Sequence, residues 1–163
     1  YIFDYDPENE LQIRDFIRTI KKQLSKRRPE LEFSHINLFR LLIDYLRERN
    51  LLDKAYELQK KKGDAELLKA LKGPMHEQKI ASYFVQTAQP EDKDLVLMSG
   101  IGSSWPILRS HTLLNSLHPL LQDTPLVIFY PGKYDGHGLR LFGRLKESNY
   151  YRAFRLIDPV QEA

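Results

Sequence analysis

The residues best suited to proton transfer lie in the glycine-rich sequence Asp135-Gly136-His137-Gly138. A carboxylate that orients an imidazole is the arrangement that general-base catalysis needs. Adjacent residues of a glycine-rich loop rarely hold that geometry, however, and Asp135-Gly136 is typical of a tight turn. The sequence also lacks a Gly-x-Ser-x-Gly nucleophile motif. We therefore favour the turn and expect no enzymatic activity.

A second candidate for chemistry is a glycine- and serine-rich turn between a predicted strand and a predicted helix. Backbone N–H groups and the helix dipole at such a turn commonly bind phosphate, and Arg109 and Lys133 could reach the same anion. The turn nevertheless lacks the third glycine of a dinucleotide motif and the Gly-Lys-Ser/Thr of a P-loop. A tight turn with Ser103 or Ser104 as the helix cap is favoured, and an anion site is the alternative. The residues of that alternative site are Gly100, Gly102, Ser103 and Ser104.

Metal binding is not predicted. The sequence has no cysteine, which excludes disulfides, thiolate catalysis and cysteine-bound zinc. His111 and His118 share a predicted helix face but are separated by two helical turns, whereas histidines that bind one zinc ion usually lie one turn apart. We expect neither a metal nor a cofactor.

Positive charge exceeds negative charge locally in a stretch near the C-terminus. Residues 124–157 contain six Lys or Arg residues and only two acidic residues, a net charge of +4. Arg140 and Arg144 would share a face whether their segment is helical or extended, and paired guanidinium groups suit carboxylate or phosphate.

Residues 150–155, Tyr-Tyr-Arg-Ala-Phe-Arg, alternate as a strand does. Interleaved aromatics and arginines occur at protein–protein hot spots and also stack on single-stranded nucleic acid. Arginines protect an edge strand from aggregation as well, so three interpretations stay open, with nucleic acid the least favoured. Trp105 is likewise either an interface anchor or a residue that packs the start of its helix.

The composition is that of an ordinary globular domain. With 163 residues, 42% hydrophobic and 29% charged, the chain is long enough for one core and short for two. A net charge of +3 allows an acidic partner or nucleic acid without requiring either. Neither a membrane-spanning run nor a signal peptide is recognisable, so we expect a cytoplasmic protein that does not bind membranes. The chain opens at Tyr1 without a methionine, and we expect the natural protein to extend further at its N-terminus.

The elements that must position these residues follow from hydrophobic spacing and turn residues. Strands are predicted at residues 1–5, 31–38, 94–98 and 126–130. Helices are predicted at residues 8–28, from Asn37, at 51–62 and 64–71 around Gly63, at 74–89 with Pro74 in the first turn, and at 105–121. Residues 139–145 fit either a helix or a strand.

Short apolar strands separated by helices imply right-handed crossovers and a mainly parallel sheet that is covered on both faces. We therefore predict a single α/β domain over residues 1–163, with a mostly parallel Rossmann-like sheet and helices on both faces.

Three stretches resemble the BrxB family of BREX bacteriophage-defence systems: YIFDYDPE, GIGSSWPILRSHTLLNSL and PLVIFYPGKYDGHGLRLFGRLKESNYYRAFRL. The resemblance covers most of the chain, is most specific over residues 125–156 and is weakest over residues 51–89. It implies a small cytoplasmic α/β protein that normally carries a short extra N-terminal segment. It also implies a place in a phage-defence machinery beside a methyltransferase, an ATPase and the alkaline-phosphatase-like protein PglZ.

The resemblance suggests a non-enzymatic adaptor that binds the PglZ-type protein of the same system. The family offers no catalytic residue that could be transferred to this sequence. The alternatives are a nucleic-acid-binding subunit, which would contact DNA directly or indirectly, and a nucleotide- or phosphate-binding regulatory subunit. The expected partner contacts are Trp105, Arg109, Lys133, Tyr134, Arg140, Arg144, Tyr151 and Arg152.

Overall fold

The computed structural model describes residues 1–146 and 153–157. The strands are β1 (Ile2–Tyr5), β2 (Phe33–Asn37), β3 (Leu95–Ser99), β4 (Leu126–Tyr134), β5 (Leu139–Leu141) and β6 (Leu145–Lys146). The helices are α1 (Glu10–Arg27), α2 (Leu38–Glu48), α3 (Leu52–Leu71), α4 (Glu77–Ala88), α5 (Ile101–Ser104) and α6 (Ser110–Leu121).

The sheet is mostly parallel. Strands β2, β3, β4 and β1 lie side by side in that order and run in the same direction. Beyond β1, the Ile2 N–H donates to the carbonyl of Phe154 at 2.8 Å, and the Leu156 N–H donates to the carbonyl of Ile2 at 2.8 Å. Strands β5 and β6 continue antiparallel from the carboxyl end of β4. The predicted α/β class is therefore confirmed.

Successive strand residues point into two hydrophobic cores on opposite faces of the sheet. Val96 and Ile128 belong to the larger core, which α2, α4 and α6 cover. Leu97 and Phe129 point the other way and pack with Ile17 of α1. Helices on both faces explain why residues 95–98 of β3 and 126–129 of β4 are apolar at every position, as expected for a buried parallel sheet.

Two helix boundaries follow directly from the local residue type. The Asn37 side chain accepts a hydrogen bond from the Arg40 N–H at 3.0 Å and caps α2, which confirms the predicted start. Gly63, with φ 80° and ψ 179°, breaks α3 into the two predicted helical pieces.

Two other predicted helix starts are wrong. Pro74 does not open a helix, because α4 begins only at Glu77 and His76 occupies its cap position. The helix predicted over residues 105–121 begins only at Ser110, and the short α5 ends before Trp105. Trp105 between them is extended, with φ −76° and ψ 140°, as a residue that precedes a proline prefers.

The segment after residue 130 forms a hairpin that the sequence did not reveal. Strand β4 continues to Tyr134, and β5 pairs with its last three residues. Residues 139–145 are neither one helix nor one strand, because Phe142 and Gly143 have φ values of 56° and 69° and reverse the chain between β5 and β6. Two consecutive residues with positive φ are the geometry of a tight hairpin turn.

Gly100→Ala is expected to lower the free energy of unfolding by about 2–3 kcal/mol, measured by urea denaturation. Gly100 has a φ of 76°, and an added Cβ would lie 2.6 Å from Oδ1 of Asn37, the cap of α2. Gly136→Ala is the matched control, because Gly136 has a φ of 89° but open space around it. We expect about 1 kcal/mol there from backbone strain alone. If both variants lost the same free energy of unfolding, the close approach of Gly100 to Asn37 would contribute nothing to the effect.

Candidate interaction surface

The β4–β5 hairpin presents a pair of cations. Lys133 lies directly opposite Arg140 in the antiparallel register, and opposed residues of such a pair project from the same face of the sheet. Both side chains are exposed. The Arg140 Nη2 lies 3.7 Å from Oδ2 of Asp135. One carboxylate beside two cations leaves the Lys133–Arg140 pair with a net positive charge.

Asp135 belongs to the turn of this hairpin. Its Oδ1 accepts hydrogen bonds from the N–H groups of Gly138 and His137, at 2.8 and 3.0 Å. These two bonds, the Gly138 bond first, hold the pKa of the Asp135 carboxyl below its ordinary value. The turn expected at Asp135-Gly136 is confirmed, and the carboxylate is used to stabilise it.

Trp105 lies against the second turn of the hairpin. Its ring meets that of Phe142 edge to face, with centroids 6.4 Å apart, and 45% of Trp105 remains exposed. Arg144, in the same turn as Phe142, is also exposed, and so is Arg109 at the start of α6. We use the name hairpin surface for a set of five side chains that are mainly exposed. These are Trp105, Arg109, Lys133, Arg140 and Arg144.

Tyr134 has to be removed from the predicted contacts. It is only 2% exposed, so its ring cannot reach a partner. Its hydroxyl oxygen accepts from the Ala153 N–H at 3.1 Å, and the hydroxyl lies within donating distance of the Gly136 and Ala153 carbonyls at 3.0 and 2.9 Å. Tyr134 thus ties the hairpin to the segment that pairs with β1.

The predicted joint face of Arg140 and Arg144 does not form as argued from the sequence. Arg140 lies in β5, whereas Arg144 lies in the turn that follows, so neither helical nor strand periodicity relates them. Tyr151 and Arg152, also predicted as partner contacts, lie outside the described residues.

The predicted anion site is closely packed. The Ser104 hydroxyl is buried and donates to the Gly100 carbonyl at 2.9 Å, so Ser104 does not cap a helix and the predicted serine cap is wrong. A Cβ at Gly102 would lie 3.0 Å from both Phe142 and Pro131. Ser103 is the exposed member of the predicted set, and α5 is a single turn of four residues. The anion site there stays a prediction.

The two histidines of α6 differ in their surroundings, since His111 is buried and His118 is exposed. Within residues 1–146 and 153–157, no three His, Asp or Glu side chains are grouped so that they could hold a metal ion. Within the same residues, every helix is too short or too polar to span a bilayer.

A polar pair that the sequence did not indicate joins the carboxyl ends of β2 and β3. Nε2 of His35 and Oγ of Ser99 are 2.8 Å apart, although 64 positions separate them in the sequence. Burial, and then the charge of Lys21, lower the pKa of His35 to about 4. The imidazole is therefore neutral near pH 7.

The described structure is thus a doubly wound α/β domain whose exposed predicted partner contacts are cations and a tryptophan. The family described as "BREX protein BrxB" matches residues 34–156. The chain belongs to this family, the BrxB proteins of BREX phage-defence systems.

Two curated relatives extend the match over almost the whole chain. "BREX protein BrxB" of Bacillus cereus (strain H3081.97) is 40% identical over 162 residues, which cover 97% of this chain and 83% of the relative. "BREX protein BrxB" of Escherichia coli O9:H4 (strain HS) is 36% identical over 163 residues, which cover 100% of this chain and 80% of the relative. No solved structure matches the chain.

His35→Gln is expected to make the stability less dependent on pH. The pKa of His35 is about 4 in the folded chain against an ordinary value of 6.5, so between these values the unfolded chain binds a proton that the folded chain does not. Wild-type stability should therefore decrease as the pH falls through this window. Urea denaturation across the window should show a smaller decrease for His35→Gln. The exposed His118→Gln is the control, and a wild-type slope in His35→Gln would contradict the assignment.

Proposed function

We propose that the protein is a cytoplasmic adaptor of the BREX system that binds the PglZ-type alkaline-phosphatase-like protein and carries out no chemistry of its own. The observation that carries this proposal is the hairpin surface: Lys133 and Arg140 project together from the β4–β5 hairpin, and the exposed Trp105 packs against Phe142 in its second turn. Family membership supports the phage-defence setting, and the resemblance of the sequence to BrxB suggests the partner.

Trp105 has the properties of an anchor residue. Interface energy is usually concentrated in a few residues, among which Trp, Tyr and Arg are enriched. Trp105 is 45% exposed, yet the edge-to-face contact with Phe142 restricts its ring before any partner arrives. A side chain that is already ordered loses less entropy when it binds.

The charges of the hairpin surface indicate an acidic counterpart. Lys133 and Arg140 project together, and the nearby Asp135 contacts Arg140 while it holds the turn. Arginine is suited to such contacts because its planar group can bind a carboxylate through two parallel hydrogen bonds. We therefore expect acidic residues on the partner opposite these cations.

The hairpin is held in place by the rest of the fold. The Tyr134 hydroxyl bonds to the backbone of Ala153, the Tyr134 N–H donates to Oδ2 of Asp4 at 2.9 Å, and Arg155 contacts both Asp4 and the Tyr134 carbonyl. A binding surface on a fixed hairpin is more precise than one on a free loop.

The double variant Arg140→Glu/Arg144→Glu is expected to abolish complex formation with the PglZ-type protein. Charge reversal sets like charges against an acidic partner surface, which is more damaging than removal of a contact. Size-exclusion chromatography with light scattering at about 10 µM of each protein checks this, a concentration at which a complex of micromolar affinity is populated. Lys60→Glu/Lys62→Glu on the exposed part of α3 is the matched control and should keep the complex.

Three results would count against the adaptor proposal. They are the absence of a wild-type complex, a complex that survives in the double variant, and a complex lost equally in the control. If the wild type forms no complex but binds DNA with an affinity that falls steeply with salt, the protein is a nucleic-acid-binding subunit instead.

Trp105→Ala should weaken the same complex by about thirtyfold, which corresponds to about 2 kcal/mol for a hot-spot aromatic. The loss should appear mainly in the dissociation rate and be nearly independent of salt, because the contact is apolar. Surface plasmon resonance at two salt concentrations measures both properties. Tyr56→Ala, an exposed aromatic on α3, is the control. Unchanged affinity in Trp105→Ala would remove Trp105 from the interface.

A further inference from the structure

A cleft of about 600 Å³ lies between α1 and the carboxyl ends of β2 and β3. It is on the face of the sheet that α1 covers, whereas α2, α4 and α6 cover the opposite face. In open α/β sheets, ligands commonly bind outside the carboxyl ends of the strands, and the cleft lies at that edge of the sheet.

One wall of the cleft is a row of cations on α1. Arg14, Arg18 and Lys21 line the cleft, and their spacing of four and three positions places them on one face of the helix. Arg14 pairs with Glu10 at 2.9 Å, and Arg18 pairs with Asp15 at 2.6 Å. Lys21 is half-buried and has no ion-pair partner among the described residues.

The opposite wall is the first turn of α2. Arg40 lines the cleft from this turn, and it also has no ion-pair partner in the described part of the chain. The helix has 11 residues, so its dipole adds partial positive charge at the same wall. Four cations against two carboxylates leave the cleft electropositive, a condition that favours an anion.

The rest of the lining, the floor of the cleft, is uncharged and mostly polar. It consists of Ile17, Asn37 and the pair of His35 and Ser99, whose Nε2 and Oγ atoms are 2.8 Å apart, and the imidazole is neutral at pH 7. Lys21 lies close enough to His35 for its charge to help lower the pKa of the imidazole. A neutral floor with donors and acceptors beside charged walls suits a ligand that has an anionic part and an uncharged polar part.

We propose that this cleft binds a small phosphorylated ligand of nucleotide size, with Lys21 and Arg40 as the main phosphate contacts and Arg14 and Arg18 as supporting charges. The volume falls in the range of small-molecule sites, which is about 300–1,000 Å³. The proposal concerns a different place from the hairpin surface and does not depend on the adaptor role.

Isothermal titration calorimetry at low salt tests the proposal with ATP, ADP and AMP. Pyrophosphate measures the contribution of the phosphate groups alone, and adenosine is the uncharged control. A short DNA duplex tests whether the cleft binds the phosphates of a nucleic-acid backbone. We expect ATP or ADP to bind with a dissociation constant below about 1 mM, and adenosine to produce no measurable heat.

Lys21→Glu and Arg40→Glu should each weaken nucleotide binding by about tenfold or more, since each removes a charged contact. Lys22→Glu carries the same charge change at the next, exposed position of α1, outside the cleft, and should bind as the wild type does. Lys21→Gln and Arg40→Gln provide milder variants if the charge reversals impair folding.

Three results would overturn the proposal. The first is the absence of binding by every phosphorylated compound at about 5 mM, a concentration that would reveal even weak sites. The second is equal weakening in Lys22→Glu. The third is a DNA duplex that binds more tightly than ATP and is lost in the same two variants, because the cleft would then be a contact for nucleic acid.

Discussion

Pairing along β4 is the interaction on which the other parts of the structure depend. The residues from Leu126 to Ile128 pair with β3, those from Ile128 to Pro131 pair with β1, and the last three residues pair with β5. A strand bordered in this way must be apolar on both faces, and Val127 and Ile128 do point into the two different cores. Because the strand that organises the cores also begins the hairpin, the position of the hairpin is fixed by the most buried part of the described structure.

The hairpin also limits where a ligand could bind along the carboxyl edge of the parallel strands. The turn after β3 is where many α/β proteins bind phosphate, but here Phe142 and Pro131 pack directly against Gly102. On the other side, Asn37 lies so close to Gly100 that even a methyl group would not fit. The open space outside β2 and β3 is therefore on the α1 face, where the side chains of α1 make it positive.

The sequence predicted the parallel sheet because apolar runs and helical spacing are local signals, and it located the start of α2 because Asn37 is a local cap. It did not predict the second turn of the hairpin, since nothing in the residue type of Phe142 indicates a positive φ. A strand that ends at Tyr130, as the sequence predicts, leaves the burial of Tyr134 undetermined. With the longer strand, alternation places Lys133 outside and Tyr134 inside, so the position of that boundary decides the burial of Tyr134. The contact between His35 and Ser99 depends on strand order, which no local pattern contains.

One short segment connects the two regions of interest. Ser99 forms part of the cleft floor, Gly100 packs against the cap of α2, and Gly102 packs against the hairpin. Two sites are coupled when a packed element between them has two arrangements and a ligand at either site favours one arrangement over the other. Residues 99–102 touch both regions, so this segment is one route by which a cleft ligand could influence the hairpin surface. The close contacts of Gly100 and Gly102 leave this segment little conformational freedom. A cleft ligand could shift the segment from one arrangement to the other only to the extent that the ligand binds one of them more tightly.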